Sequence, residues 1–174
     1  VTAHAGGDPH NGRSALDAVE LTDVGANYLR EHVTTDVRIH YTITEGGTAP
    51  NIVPDNATVW YYVRAPKRET VDEVYDRLVK VAEGAAHMTE TKLEIEFMGG
   101  CYQTLNNGVL VDLIHDCMVE TPQEAWTAEE LEFAQKLDEA RPDQYAAAIA
   151  GYGLPEGTHL HTGVLPVGVE GNFG

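Results

Sequence analysis

A segment near the amino terminus, AHAGGDPHNGRSALDAVEL, brings together side chains that could do chemistry. His4, Asp8 and His10 share one loop with glycines and a proline, and a helical pattern follows directly. Imidazole and carboxylate groups bind metal ions and transfer protons in many active sites. The segment is therefore open to four interpretations: a helix cap, a metal site, a phosphate cradle, or one half of an active site that other residues complete.

The spacing of these residues argues against two of the four interpretations, the metal site and the phosphate cradle. Catalytic zinc takes three protein ligands that a scaffold and further hydrogen bonds hold in place, and His4, Asp8 and His10 lack that pattern. The glycines do not follow the GxGxxG or P-loop spacing, and the Asp8 carboxylate would repel a phosphate. For His4, a structural or solvated loop histidine and half of a composite site both remain open.

Two more side chains could recognise a carboxylate. Asn51 lies in GGTAPNIVPDN, a linker whose prolines and glycines predict a fixed shape, so its amide would lose little entropy on binding. The alternative is a rigid turn in which Asn51 bonds its own backbone. Arg64 ends the strand that follows, and its planar guanidinium matches a carboxylate with two hydrogen bonds. A surface ion pair is the alternative for Arg64.

The elements that must position these side chains follow from hydrophobic periodicity. Alternation predicts strands in DVRIHYTITEGG, NATVWYYVRAP and TKLEIEF, and a short first strand is expected over residues 1–4. Helical spacing predicts helices over residues 14–33, capped by Ser14, and over residues 69–86. This order is the ferredoxin-like split βαβ arrangement, an α+β fold whose four-stranded antiparallel sheet carries two helices on one face.

The ferredoxin-like pattern covers residues 1–103, and we expect a second segment over residues 104–174. Within it, helical spacing predicts helices over residues 107–121 and 127–141. From Pro142 the sequence is rich in alanine and glycine without a clear period, so an irregular tail is expected there.

The first helix carries two apolar stripes, whereas a surface helix usually has one. We therefore expect it to contact both the sheet and a second neighbour. The first stripe comprises Ala15, Val19, Thr22, Ala26, Leu29 and Val33, and the second comprises Leu21, Val24 and Tyr28.

The open face of the predicted sheet is expected to carry large aromatic and cationic side chains. These are Trp60, Tyr62 and Arg64 on one strand and Arg38 and His40 on its neighbour. Such a face is typical of a contact surface, although an ordinary mixed open face is equally open as an interpretation.

Composition excludes some classes of partner. The net charge of −17 argues against nucleic acid and anionic membrane surfaces, because both need a basic footprint. No apolar run approaches the length of a membrane span. Cys101 and Cys117 show no metal or disulfide spacing, so we expect free thiols in a reducing cytoplasm. The chain begins with Val and ends in VGVEGNFG, so we expect a piece of a larger protein.

The combination of HAGGDPHNGRSALDAVEL and GGTAPNIVPDNATVWYYVRAP, at this separation, resembles the lid or dimerisation domain of the di-metal aminoacylase and carboxypeptidase family of amidohydrolases. The segments REHV, YDRLVKVAEGAA and MTETK are similar to its p-aminobenzoyl-glutamate hydrolase branch. The likeness is strong over residues 1–98 and fainter over the later helices, where WTAEELEFAQ still resembles the family. Gly6-Gly7 departs from the pattern, since relatives carry small residues such as alanine there.

The resemblance implies a ferredoxin-like lid inserted into a catalytic domain that binds two divalent metal ions, zinc or manganese. The lid supplies no metal ligand, so none is expected to be bound by this chain. The resemblance further implies a homodimer in which His4 reaches the other subunit's active site and stabilises the tetrahedral oxyanion. Asn51 and Arg64 are expected to hold the substrate's carboxylate.

The implied reaction is metal-assisted hydrolysis of an amide bond in a small molecule, an N-acyl or aminobenzoyl amino acid such as aminobenzoyl-glutamate. The family's metal-binding His motifs and Glu-Glu general-base motif are not found in this sequence, so the chain alone is expected to be inactive. The alternative is a free-standing ferredoxin-like dimeric module that binds a small acidic ligand, and a third possibility is a pure assembly domain. A metal-ligand cluster elsewhere in the gene would separate them.

Overall fold

The computed structural model describes residues 1–122, 124–154 and 164, and it divides into two units, Val1–Thr104 and a second one that begins at Leu105. The first unit mixes helices with an antiparallel pair of strands, so the predicted α+β class is confirmed. Its main elements are α1 (Ala15–Leu29), β1 (Arg38–Glu45), β2 (Thr58–Arg64) and α2 (Arg68–Met88). Short 3₁₀ turns cover Pro9–Asn11 and Arg30–His32.

Helix α1 begins where the sequence predicts. The Ser14 hydroxyl oxygen accepts a hydrogen bond from the Asp17 N–H at 3.1 Å, which satisfies one of the unpaired donors of the first turn. The hydroxyl in turn donates to the Asp17 carboxylate at 2.7 Å. This cap defines where the loop that contains His4 ends and the helix begins.

The two stripes of α1 have different environments. In the first stripe Val19, Ala26 and Leu29 are buried. They belong to the side of the helix that faces the core, whose buried cluster is Ala26, Leu29, Val37, Ile39, Val74 and Leu78. The second stripe is exposed, with 36% of Leu21, 49% of Val24 and 68% of Tyr28 accessible. Within the first unit, therefore, α1 covers the core with one stripe and presents the other to the surroundings.

Strands β1 and β2 pair antiparallel, and their register confirms the predicted open face. Arg38 is opposite Arg64, His40 is opposite Tyr62, and Thr42 is opposite Trp60. The alternate residues form the inner face, where Ile39 is opposite Val63 and Tyr41 is opposite Tyr61. Ile39 is buried and packs in the core, as expected for strands with one covered face.

The four-stranded ferredoxin-like sheet is not confirmed, because two of the predicted strands are not formed in the described residues. Residues 1–4 bond to a loop instead: the Val53 N–H donates to the Ala3 carbonyl at 2.9 Å, and His4 forms an isolated bridge with Ile52. Residues 92–97 remain unpaired, with Ile95 and Phe97 exposed. In the split βαβ order the last strand pairs with the first, so without a first strand it has no neighbour.

The second unit contains α3 (Gly108–Glu120), α4 (Ala128–Ala140) and α5 (Pro142–Gly151). The first two lie within a residue of the predicted helices, and Thr127 and Glu130 form a capping box at the start of α4. Helix α5 corrects the expected irregular tail. Its alanine-rich sequence hides any apolar period yet has high helix propensity, and Pro142 suits a first helical turn. Residues 155–163 and 165–174 of that expected tail lie outside the described residues.

Candidate functional site

Two loops come together at one end of the β1–β2 pair, and we call this region the loop end. It consists of residues 4–13 and 46–57. The Ala5 N–H donates to the Asn51 carbonyl at 2.9 Å, and the Ala15 N–H donates to the Pro54 carbonyl at 2.8 Å. Because His4 also pairs with Ile52, the structure brings two of the three predicted site residues, His4 and Asn51, into one cluster.

A tight turn fixes the backbone of Asn51. The Ile52 N–H donates to the Ala49 carbonyl at 3.1 Å, which closes a turn with Pro50 as its second residue and Asn51 as its third. Gly47 has a φ of +107°, and a Cβ there would lie 2.7 Å from Cγ of Pro54, so this linker needs glycine at that position. Among the described residues the exposed Asn51 amide has no hydrogen-bond partner, so it does not bond its own backbone.

The ring of His4 is held by its own loop. Its Nδ1 atom accepts hydrogen bonds from the N–H of Gly6 at 3.1 Å and from the N–H of Gly7 at 2.8 Å. The residue is exposed at the loop end. A histidine with one ring nitrogen bonded and the other free can present the second nitrogen to a ligand.

The other two polar residues of the loop make a separate group. The Asp8 carboxylate accepts from the Asn11 amide at 2.9 Å and lies 3.3 Å from Nε2 of His10. Across the described residues no group of three His, Cys, Asp or Glu side chains could hold a metal ion. The metal-site interpretation of His4, Asp8 and His10 is therefore not supported by their geometry.

Arg64 lies at the opposite end of the strand pair, which we call the arginine end. It is exposed, its guanidinium carbon is 5.6 Å from the centre of the Tyr62 ring, and no described carboxylate pairs with it. Arg38, directly opposite in the register, instead donates to the carbonyls of Thr35 at 2.5 Å and Val37 at 2.8 Å. Two like charges directly opposite each other are unfavourable in a sheet, so this end would attract an anion.

The two ends are separated by the length of the strands. Strand β2 takes six residue steps from Thr58 to Arg64, which span about 20 Å. Helix α1 gives an independent measure: it begins beside Pro54, and at its far end the Arg30 guanidinium donates to the Ile39 carbonyl at 2.6 Å. Its 15 residues span about 22 Å. Within one chain, Arg64 is therefore far from His4 and Asn51.

A buried polar contact between the ends was missed in the sequence. The Tyr61 hydroxyl, on the inner face of β2, donates to the Asp23 carboxylate of α1. Asp23 is buried, and burial raises the pKa of its carboxyl above the ordinary value, while the Tyr61 hydrogen bond acts in the opposite direction. Burial also raises the pKa of the Tyr61 hydroxyl. The signal was available, because Asp23 lies four residues after Val19 and three before Ala26, on the buried side of the helix.

None of the described helices is both long and apolar enough to cross a membrane. Helix α3, which has no buried residue, exposes apolar side chains that include Leu110, Leu113, Ile114 and Val119. Cys117 lies on the same helix and Cys101 lies in the first unit, and both thiols are free and exposed.

Comparison with known proteins gives a consistent set of relatives. Residues 1–90 match the family described as the peptidase dimerisation domain. The chain is 44% identical over 138 residues to one of the subunits of p-aminobenzoyl-glutamate hydrolase from Escherichia coli (strain K12), a match that covers 79% of this chain and 29% of that protein. It is 32% identical over 94 residues to the Xaa-Arg dipeptidase of Mus musculus, covering 54% of this chain and 22% of the dipeptidase.

A solved structure is also similar to this chain. The aminobenzoyl-glutamate utilization protein from Klebsiella pneumoniae matches with a TM-score of 0.57 and 26% sequence identity, over 70% of this chain and 31% of that one. This chain therefore spans less than a third of the length of these relatives.

Proposed function

The chain belongs to the peptidase dimerisation domain family, and on that premise we propose that it is the lid and dimerisation part of a metal-dependent amidohydrolase. The similarity to p-aminobenzoyl-glutamate hydrolase that the sequence indicated is confirmed by the matches. The proposed enzyme is a cytoplasmic homodimer that cleaves the amide bond of an N-acyl or aminobenzoyl amino acid, such as aminobenzoyl-glutamate. In this proposal residues 1–103 are the lid and residues 104–174 lead back to a catalytic domain outside this chain.

The metal ions of the proposed enzyme, zinc or manganese, would be held outside this chain. The described residues do not fit such a site, since they provide no cluster of metal-ligating side chains. The contribution of this chain is therefore to bind and orient the substrate and to donate hydrogen bonds. For the same reason we propose that the chain alone does not hydrolyse the substrate.

The observation that carries the proposal is the distance between the loop end and the arginine end. In an N-acyl amino acid, the carboxylate is only a few bonds from the amide that is cleaved. If His4 stabilises the oxyanion and Arg64 binds the carboxylate, one substrate molecule must contact both. The residues of one chain are separated by about 20 Å along the strand, so we propose that they come from different subunits of the dimer.

The exposed parts of α1 and β1 support a dimer of this kind. The second stripe of α1, formed by Leu21, Val24 and Tyr28, is exposed in the described structure. Strand β1 pairs only with β2 in the described residues, so its other edge is free to pair with a second copy. We propose that both surfaces are covered in the homodimer. A four-stranded sheet, completed by residues 1–4 and 92–97, is also part of this proposal.

The role of each site residue follows from its chemistry. An oxyanion is stabilised by a hydrogen-bond donor that is already in position, and one such donor contributes about 3 kcal/mol to transition-state stability. We assign that donor to His4. The Asn51 amide, which bonds to none of the described residues, would donate to the carboxylate or to the carbonyl of the substrate. The Arg64 guanidinium would bind the carboxylate with two hydrogen bonds.

One observation favours a second candidate, a free-standing dimeric module that binds a small acidic ligand. Arg38 and Arg64 form a cationic pair in a chain of net charge −17. Calorimetry separates the two functions. Tight binding of aminobenzoyl-glutamate to this chain alone, with no metal ligands encoded next to it in the gene, would favour the module.

The test of the proposed function uses mixed dimers of the full-length protein. Subunits with His4→Ala are mixed with subunits that are defective only in metal binding. If His4 acts across the dimer, the mixed dimer contains one complete site, and activity returns in proportion to subunit exchange. If His4 acts in its own subunit, no complete site forms and no activity returns. Loss of bound metal in the His4→Ala protein would instead identify His4 as a metal ligand and overturn the assignment.

A further inference from the structure

The ring of His4 and the loop that follows it form a closed hydrogen-bonded unit. Nδ1 accepts from the N–H groups of Gly6 and Gly7, at 3.1 and 2.8 Å. The carbonyl of His4 accepts from the N–H of Asp8 at 2.9 Å and from that of Gly7 at 3.2 Å. The imidazole is therefore bonded to the backbone through Nδ1, which leaves Nε2 as the nitrogen that can contact a ligand.

A backbone N–H group can only donate a hydrogen bond, so the ring atom that receives it must carry a lone pair. Nδ1 therefore carries no proton in this geometry. A neutral imidazole has one N–H group, which must then be on Nε2. We propose that Gly6 and Gly7 are positioning residues that hold His4 in the Nε2–H tautomer and so make its outer nitrogen a hydrogen-bond donor.

The groups that set the tautomer of His4 differ from those that usually set the tautomer of a histidine. The tautomer of a functional histidine is commonly set by a carboxylate or carbonyl that accepts from Nδ1–H. Here the nearby Asp8 carboxylate bonds to Asn11 and His10, and no described carboxylate contacts the His4 ring. Two donors replace the usual acceptor, and they select the opposite tautomer.

The close approach of the loop to the ring limits which residues fit. A Cβ atom at Gly7 would lie 3.3 Å from Nδ1 and 3.6 Å from Cγ of His4, so the ring would have to move. A Cβ atom at Gly6 would lie 3.6 Å from Cε1, an ordinary contact distance. Alanine at position 6 therefore leaves the bonded ring in place, whereas alanine at position 7 pushes the ring away from the two N–H groups by a few tenths of an ångström, which provides a matched pair of variants.

The functional consequence rests on the proposed function of His4. An oxyanion needs a donor, and the Nε2–H tautomer provides one without rearrangement when the charge develops. In the other tautomer Nε2 would present a lone pair and repel the oxyanion. The assignment of the tautomer itself depends only on the geometry of the loop.

The test is nuclear magnetic resonance of the whole chain labelled with ¹⁵N, at about pH 8, above the ordinary titration range of imidazole. We expect the ¹⁵N chemical shift of His4 Nδ1 to have the value typical of a fully unprotonated nitrogen. A solvated imidazole instead shows a value averaged over its two tautomers. Couplings across the hydrogen bonds should join Nδ1 to the amide nitrogens of Gly6 and Gly7. A solvent-averaged Nδ1 shift, or absence of both couplings, would overturn the proposal.

Variants extend the measurement. Gly7→Ala should move the Nδ1 shift toward the solvent average, while Gly6→Ala should leave it unchanged. His4→Asn places a carboxamide oxygen where Nδ1 is, as in an Asx turn, so the Gly6 and Gly7 amides should stay protected from exchange. An equal response of Gly6→Ala and Gly7→Ala would contradict the proposal. These measurements need no substrate, so they fail or succeed independently of the mixed-dimer experiment.

Discussion

The loop end and the arginine end hold their side chains by different means. At the loop end, backbone groups bond to one another and to the His4 ring, and the turn at Asn51 adds rigidity. At the arginine end, guanidinium groups donate to backbone carbonyls: Arg30 to Ile39 and Arg77 to His32. A backbone-held site keeps its geometry when side chains move, which suits an interaction that must be in place in the transition state.

The comparison also shows which arginine of the arginine end is available to a ligand. Arg30 and Arg38 are committed to carbonyls of their own unit. Arg64 stacks on Tyr62 and has no acceptor among the described residues. The arginine end therefore combines cations that stabilise the fold with one that is available to an anion. We expect substitutions at the two ends to have different kinetic signatures.

The largest expected effect is at the loop end. In the full-length protein, His4→Ala should lower kcat by about 10²–10³-fold, because removing one oxyanion donor has an effect of that size. KM and metal content should change little, since the interaction strengthens in the transition state. His10→Ala, in the same loop but bonded to Asp8, is the matched control and should retain most of kcat. A rise in KM with unchanged kcat for His4→Ala would remove the distinction between the ends.

The next effect is at the arginine end. Arg64→Ala should raise KM for substrates with a free carboxylate, because hydrogen bonds to charged groups contribute about 1.5–3 kcal/mol, roughly ten- to hundredfold. Its melting temperature should barely move, since the Arg64 side chain forms no ion pair with a described residue. Arg38→Ala is the control with the opposite signature: it loses two bonds to carbonyls, so stability should fall, and KM should rise much less than in Arg64→Ala. A large loss of stability in Arg64→Ala would show that Arg64 is structural.

Much of the fold could be predicted, because in α1, β1 and β2 the local sequence signals agree with the tertiary packing. Helix α1 has a cap at Ser14 and a clean period, and both appear in the structure. The alternation in β1 and β2 predicted the shared open face of Arg38, His40, Trp60, Tyr62 and Arg64. Residues 92–97 show the limit of this reasoning: alternation describes a segment that can form a strand, but pairing needs a neighbour that supplies backbone partners.

The site was only partly predictable. Loop composition made His4 and Asn51 candidates, but it did not show that the carbonyl of Asn51 bonds to Ala5, because such bonds depend on the approach of two distant segments. Sequence reasoning placed Arg64 at a strand end without its distance from the loops, which is set by strand length and register. Helical spacing places Asp23 on the buried side of α1, but it does not reveal the partner, Tyr61, that makes a buried carboxyl group acceptable there.

A smaller effect is expected between the two ends, where Tyr61 contacts Asp23. Tyr61→Phe removes the hydroxyl that donates to the buried carboxylate, and a buried acceptor that loses its donor costs about 1–3 kcal/mol. The measurement is hydrogen exchange of the buried Ile39 amide, which reports opening of the first unit. Tyr62→Phe, on the exposed face, should change stability by less than about 0.5 kcal/mol. Equal effects of the two substitutions would mean that the contact does not hold the ends in place.

The smallest effect is a dependence on pH from Asp23. Burial raises the pKa of its carboxyl, so the folded state binds the proton more tightly than the unfolded state does. The contribution of Asp23 to stability is therefore fully present below its unfolded pKa, near 3.9, and is lost as pH rises through the raised folded value.

Asn at position 23 keeps an oxygen that can accept from the Tyr61 hydroxyl but cannot ionise. The free energy of unfolding of Asp23→Asn minus that of the natural chain should therefore increase from about pH 4 upward and then level off. Urea unfolding of both proteins across this range, followed at the Ile39 amide, measures the difference. Asp76→Asn, which removes an exposed carboxylate of α2, controls for the change in net charge. If the difference is flat, or decreases with pH, the carboxyl between the two ends is not the buried group that the structure describes.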